Sequence, residues 1–237
     1  MANSIFKPRD HDWHPIADFP NYRSTHFRHP KQKLLQLEPT LTELTGPAFG
    51  HDDIAPLDNN LIRNYSASGA EAIGSRIKVF GKLLDENNKP VPHQLIEIWQ
   101  ANAGGRYRHV NDGYLAPLDD NFGGCGRCLT DEDGNYEFLT ILPGAYPWPN
   151  GPNSWRPAHI HFSVFGQVFA QRLITQMYFE GDPLIDICPI VQAIPDKKAV
   201  SQLVARLDMN AAVSMDMLAY QFDIVLRGEN ETYFENK

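Results

Sequence analysis

The chain has 237 residues, enough to bury one large core, and its net charge of −8 at pH 7 argues against nucleic acid, which needs a basic field. The same charge means that an anionic small ligand would need a local arginine or lysine. Three cysteines are no disulfide framework, the N-terminus has no apolar signal region, and no run approaches the ~18 apolar residues of a membrane helix, so the expected setting is a reducing cytoplasm with no membrane contact.

Residues 1–75 are polar, proline-rich and weakly periodic. They read as an N-terminal arm that wraps the core or a partner. There is room for one short helix in 31–46 and for a turn or two over Asp58–Tyr65. His51 and Asp53 have the spacing that opens a 2-His-1-carboxylate iron(II) site, but they stand in a loop-like stretch where Asp is common.

From Arg76 the pattern changes, and residues 76–237 read as a β-sandwich domain. A strand runs from Ile77 to Leu84 and stops at the turn residues Asp85–Pro90. Leu95–Trp99 alternates as a second strand. Asn135–Leu142 is a third, entered from the turn Asp131–Gly134. Ala158–Phe165 and Arg172–Phe179 follow. Asp196–Asp208 reads as one amphipathic helix with Val200, Leu203, Val204 and Leu207 on a face. Gln221–Arg227 closes with a strand. Many short strands, 18 prolines and 17 glycines give a mostly β fold: a β-sandwich with long functional loops, the arm and one or two short helices.

Two connections stand out. Ala101–Thr130 is long for a compact domain, and such loops are usually functional. It contains Gly104-Gly105-Arg106-Tyr107-Arg108-His109. It also contains Cys125-x-x-Cys128, which lacks a second cysteine pair and reads as two reduced thiols. The second connection, Pro143–Pro149, is punctuated by proline and glycine and holds Tyr146 and Trp148 in a turn.

His159 and His161 stand two apart on the strand that follows. Residues at that spacing share a face, so two imidazoles point one way while Ile160, Phe162 and Val164 point the other. Two histidines alone do not choose a metal, and His109 is not forced into the set. A carboxylate of the cupin sort is missing after them: Phe162, Ser163, Val164 and Phe165 follow instead. The donors placed nearby are Tyr107 and Tyr146. Phenolate is a hard anion suited to a trivalent metal, and iron(III) is the biological choice. Either tyrosine alone also fits a loop aromatic packed on the end of the sandwich.

The run Pro143-Gly144-x-Tyr146-Pro147 … Trp155-Arg156-Pro157-Ala158-His159-Ile160-His161-Phe162 resembles the iron site of the intradiol ring-cleaving dioxygenases. Trp99-Gln100-Ala101-Asn102-x-x-Gly105-Arg106-Tyr107 and Phe122-x-Gly124-x-Gly126-Arg127 resemble their other signature. The likeness continues through Tyr178–Pro183 and Phe222–Gly228. It implies one non-haem iron(III) per chain, bound by Tyr107, Tyr146, His159 and His161. Arg156 would stabilise negative charge beside the substrate, with Gln176 orienting it. Tyr146 would also leave the metal and act as a base when substrate binds. Trp148 and Ile190 would wall the substrate, and Tyr22 would reach its carboxylate. The implied reaction is cleavage of 3,4-dihydroxybenzoate by O₂ to 3-carboxy-cis,cis-muconate, in the β-ketoadipate pathway of aromatic catabolism. The implied partner is a homologous α chain that completes the active site. The alternatives are the same chemistry on another catechol such as hydroxyquinol, or a non-catalytic metal- or partner-binding β-sandwich in which the tyrosines and histidines are packing.

Overall fold

The computed structural model describes residues 14–32, 54–85, 87–165 and 172–226. His51, Asp53 and nearly all of 31–46 lie outside the described residues. The strands are β1 (Arg76–Asp85), β2 (Leu95–Gln100), β3 (Cys125–Leu129), β4 (Asn135–Ile141), β5 (Tyr146–Pro147), β6 (Trp155–Arg156), β7 (His159–Phe165), β8 (Arg172–Phe179), β9 (Val204–Leu207), β10 (Leu218–Gln221) and β11 (Ile224–Leu226). Among the described residues the helices are single turns: α1 (Thr25–Arg28), α2 (Pro189–Gln192) and α3 (Lys197–Ser201).

Among the described residues, nine strands form one hydrogen-bonded sheet in the order β11-β1-β10-β9-β8-β7-β2-β3, with β4 on β1. Strand β9 joins its two halves, pairing parallel with β8 and antiparallel with β10. The halves close face to face. Ile96, Ile98, Ile160 and Phe162 on one half pack with Ile77, Val79, Phe138 and Phe222 on the other. The Phe162 ring lies 5.8 Å from Phe138 and 5.3 Å from Phe222. Each fully buried Ile or Phe contributes about 1.5–3 kcal/mol, so this alternation fixes which face of β7 turns inward. The opposite face of β7 carries the two histidines.

Strands β10 and β11 run end to end along β1 in one register, Ile77 opposite Leu218 and Leu83 opposite Ile224. The expected strand Gln221–Arg227 is thus two strands, broken at Phe222–Asp223. The break sits over Gly81, where an added Cβ would lie 1.9 Å from the Phe222 carbonyl oxygen. Only glycine lets the backbones approach so closely.

The expected helix Asp196–Asp208 is a correction. Asp196 caps α3 by accepting the Lys198 N–H at 2.7 Å, but the helix ends at Ser201 and Val204–Leu207 is β9. Helical spacing of Val200, Leu203, Val204 and Leu207 misled, because the last two serve a strand. Keeping that backbone helical would leave the facing edges of β8 and β10 unpaired, and buried amides rarely stay so. Instead Tyr178 N–H donates to Leu203 O at 2.7 Å and Asp208 N–H to Ala219 O at 2.8 Å. The long loop is also shorter than expected, since its end is β3, paired with β2. Three residues apart on that strand, Cys125 and Cys128 face opposite ways: the first is exposed, the second buried.

The preceding segments pack on this sandwich. Leu61 and Ile62 are buried in its core. Ile16 N–H donates to Ala193 O at 2.8 Å. Asn150 holds the segment before α1, accepting Arg23 N–H at 3.0 Å and donating to Asn21 O at 2.8 Å.

Candidate active site

Register across three strands builds the floor. Trp99 on β2, His161 on β7 and Gln176 on β8 stand in one row, and His159 stands opposite Tyr178. The Trp99 ring stacks on His161 at 4.8 Å, nearly parallel, and fixes its plane. His159 is buried, and its Nδ1–H donates to Pro157 O at 2.7 Å, so Nε2 presents its lone pair. Burial, then the charges of Arg156 and His161, hold this imidazole well below its usual range. It is a neutral donor at pH 7.

The walls come from loops. Strands β5 and β6 pair so that Tyr146 faces Arg156. Tyr107 is held by its own N–H, which donates to Asp112 Oδ2 at 2.7 Å. Its Oη lies 3.1 Å from His161 Nε2 and 3.4 Å from His159 Nε2. Tyr146 Oη lies 3.2 Å from His159 Nε2. Two imidazole nitrogens and two phenolic oxygens therefore converge on one spot. Among the described residues no group of three or more His, Cys, Asp or Glu is placed to hold a metal ion. Two hard anionic oxygens and two nitrogens suit a trivalent metal, whose charge displaces phenol protons that otherwise leave only near pH 10.

Arg156 lies beside the donors, 5% exposed. Its guanidinium donates to Gln176 Oε1, and to Tyr178 Oη at 3.3 Å, while Tyr178 Oη itself donates to Gln176 Oε1 at 2.9 Å. Burial alone would weaken the cation. Tyr178, Cys188 and Tyr146 outweigh it and raise its pKa, so Arg156 stays charged. Its Nε is buried with no hydrogen-bond partner among the described residues. A charge-bearing donor is thus left over beside the donors.

An open cleft of about 740 Å³ beside the donors is lined by Trp99, Tyr107, Leu115, Tyr146 and Trp148, among others. His109 also lines it and is exposed. Tyr22 meets Trp148 edge to face at 5.3 Å, and both pack with Ile190 and Tyr178 in one apolar cluster. Arg28 donates to Tyr22 Oη and covers its ring at 4.7 Å. All nine residues singled out from the sequence thus lie in one neighbourhood. Tyr178, Trp99 and Asp112 were missed, because strand register and loop closure, not residue type, bring them in.

A family model described as "Dioxygenase" matches residues 44–228, and one described as "Protocatechuate 3,4-dioxygenase beta subunit N terminal" matches residues 8–40. The chain belongs to the intradiol dioxygenase family. It is 49% identical over 232 residues, 98% of each chain, to the protocatechuate 3,4-dioxygenase beta chain of Burkholderia cepacia. It is 30% identical to the protocatechuate 3,4-dioxygenase alpha chain of Pseudomonas putida over 167 residues, 69% of this chain and 77% of that one. The solved 3-chlorocatechol 1,2-dioxygenase of Rhodococcus opacus 1CP has the same fold. It superposes with a TM-score of 0.55 at 24% identity, over 73% of this chain and 66% of the other. As an intradiol dioxygenase, the chain is an oxidoreductase of a family that uses non-haem iron. No helix among the described residues is long and apolar enough to cross a membrane.

Proposed function

We propose that the chain is the iron-bearing β subunit of a cytoplasmic protocatechuate 3,4-dioxygenase. It would cleave 3,4-dihydroxybenzoate between the two hydroxylated carbons and add both atoms of O₂, giving 3-carboxy-cis,cis-muconate. The observation that carries this reading is the convergence of Tyr107, Tyr146, His159 and His161, with Oη–Nε2 separations of 3.1–3.4 Å, beside a buried Arg156.

One iron(III) held by those four side chains would supply a Lewis acid that draws charge from a chelating catechol and makes the ring reactive to O₂. The chain's own groups do the rest. Pro157 O fixes the His159 tautomer. Tyr146 Oη takes a proton from a catechol hydroxyl as substrate binds. Arg156, braced by Gln176, stabilises negative charge as it develops on the ring, and its charge does not titrate. Trp148 and Ile190 wall the ring. Tyr22 Oη reaches its carboxylate. Arg28 on that hydroxyl supplies the local cation that a chain of net charge −8 needs for an anionic substrate. This pair favours protocatechuate over uncharged catechols such as hydroxyquinol. A homologous α chain closes the open cleft.

The test is metal analysis, visible spectroscopy and oxygen uptake with protocatechuate, catechol and hydroxyquinol. The expected protein is ferric and coloured, with a broad tyrosinate band that moves when protocatechuate is added without oxygen. A colourless but fully active protein sinks the iron reading. Faster turnover of hydroxyquinol than of protocatechuate sinks the substrate.

A further inference from the structure

Tyr107 and Tyr146 come from separate loops, and one buried residue ties those loops together. Asn102 is 5% exposed. Its backbone carbonyl accepts two N–H groups, that of Gly105 at 2.9 Å and that of Gly144 at 3.0 Å, one from each loop. Its Oδ1 accepts the N–H groups of Gly104 at 2.9 Å and Arg106 at 3.0 Å, closing the turn that delivers Tyr107. Its Nδ2 donates to Pro117 O at 2.9 Å, on the far side of the loop that leaves Tyr107.

The loops touch backbone to backbone. A Cβ on Gly105, whose φ is +82°, would lie 2.3 Å from Ala145 O. A Cβ on Gly144 would lie 2.5 Å from Ala103 O. No side chain intervenes, and Tyr146 follows Ala145 directly. The tyrosine rings themselves meet only edge to face, with centroids 5.5 Å apart. The separation of the two phenolic oxygens is therefore set upstream, where the Asn102 main-chain carbonyl ties both backbones and its side chain holds the turn that delivers Tyr107.

We infer that Asn102 is a positioning residue, which sets the spacing of the Tyr107 and Tyr146 oxygens. The inference rests on the reading of those tyrosines as iron ligands. A residue that only stabilised the loop would change the melting temperature. One that spaces the donors also changes the electronic signature of the centre. Asn is suited to the task because it offers an acceptor and a donor in one plane. Asp keeps the acceptor for Gly104 and Arg106 but turns an oxygen towards Pro117 O. Ala loses both.

The experiment compares iron-loaded wild type, Asn102→Asp, Asn102→Ala, Gly144→Ala and Tyr136→Phe. Tyr136 donates to Phe222 O in the sandwich core, so its variant is a stability control remote from both loops. Melting temperature, the visible band, kcat and KM are read for each. Each folded Asn102 or Gly144 variant is expected to shift the band and to lose about 10–100-fold in kcat, the usual effect of removing a group that orients metal ligands. Asn102→Asp should fall between wild type and Asn102→Ala. Tyr136→Phe should melt lower with its band in place. A band and kcat unchanged in a folded Asn102 variant overturn the inference, as does an equal shift in Tyr136→Phe. If Asn102→Ala does not fold, the Asp and Gly144 variants decide. An iron-loaded wild type without a visible band overturns the functional reading instead.

Discussion

The two tyrosines are not equivalent. Tyr107 Oη lies 3.1 Å and 3.4 Å from the two imidazole Nε2 atoms, whereas Tyr146, whose Oη lies 3.2 Å from His159 Nε2, sits on a two-residue strand paired with the equally short β6. Tyr107→Phe is therefore expected to lose more iron than Tyr146→Phe. The Tyr146 variant should keep metal but bind substrate more slowly, as stopped-flow mixing without oxygen would record. Equal iron loss in both would contradict the asymmetry. Arg156 makes a separate prediction. Its hydrogen bonds run to Gln176 and Tyr178, not to the donors, so Arg156→Lys should retain iron. Losing one charge-stabilising group typically costs about 10²–10³-fold in rate. Near-normal turnover at full iron occupancy would remove Arg156 from the chemistry.

At the level of elements, the sequence showed those parts that follow from residue type and local period. The alternation of His159 and His161 against Ile160 and Phe162 gave a strand with one chemical face. The Pro-Gly punctuation gave a fixed turn at Tyr146. Helix α3 and strand β9 were not separable, because Val204 and Leu207 satisfy a helical stripe and a strand equally well. What decides between them is the pair of edges on β8 and β10, which no local window contains. Tyr178 escaped for the same reason: it looks like any strand aromatic until register sets it opposite His159. The cysteines yield to strand geometry as well. Burial pushes the Cys128 thiol up to about 12, and burial with Glu97 raises Cys125. Thiolate is the reactive form. A thiol reagent at neutral pH should label Cys125 slowly in the native protein and leave Cys128 and Cys188 intact, with all three labelled after denaturation. Rapid native labelling of Cys128 would show that β3 opens.

On the scale of the whole molecule, the cleft beside the donors is open and part of the arm is already docked beside it through Tyr22 and Asn150. The likeness to both an alpha and a beta chain fits an assembly in which two related chains share one site. Expressed alone, the chain should be poorly metallated or nearly inactive. Co-expression with its homologous companion should restore both properties, with the two chains co-eluting. Full activity from a pure homo-oligomer would refute the shared site.

Strand β1 waits longest for its partners. Its contacts with the last strands join residues some 140 positions apart, as in the Lys82–Asp223 hydrogen bond, while its other neighbour β4 follows soon after it. At a synthesis rate of roughly 5–20 residues per second, that interval is on the order of ten seconds. Until β9, β10 and β11 emerge, no strand pairing carries the sheet from β1 and β4 across to β7 and β8, contacts such as those of Gln100 with Thr140 and Ile141 hold the halves, and the faces bearing Phe138 and Phe162 close incompletely. A nascent chain stalled before Leu218 should remain sensitive to protease and bind hydrophobic dye. The same chain released at full length should do neither. Tyr107, Tyr146, His159 and His161 all lie on segments made before β9, β10 and β11, so the proposed chemistry precedes, along the chain, the latch that shuts it in.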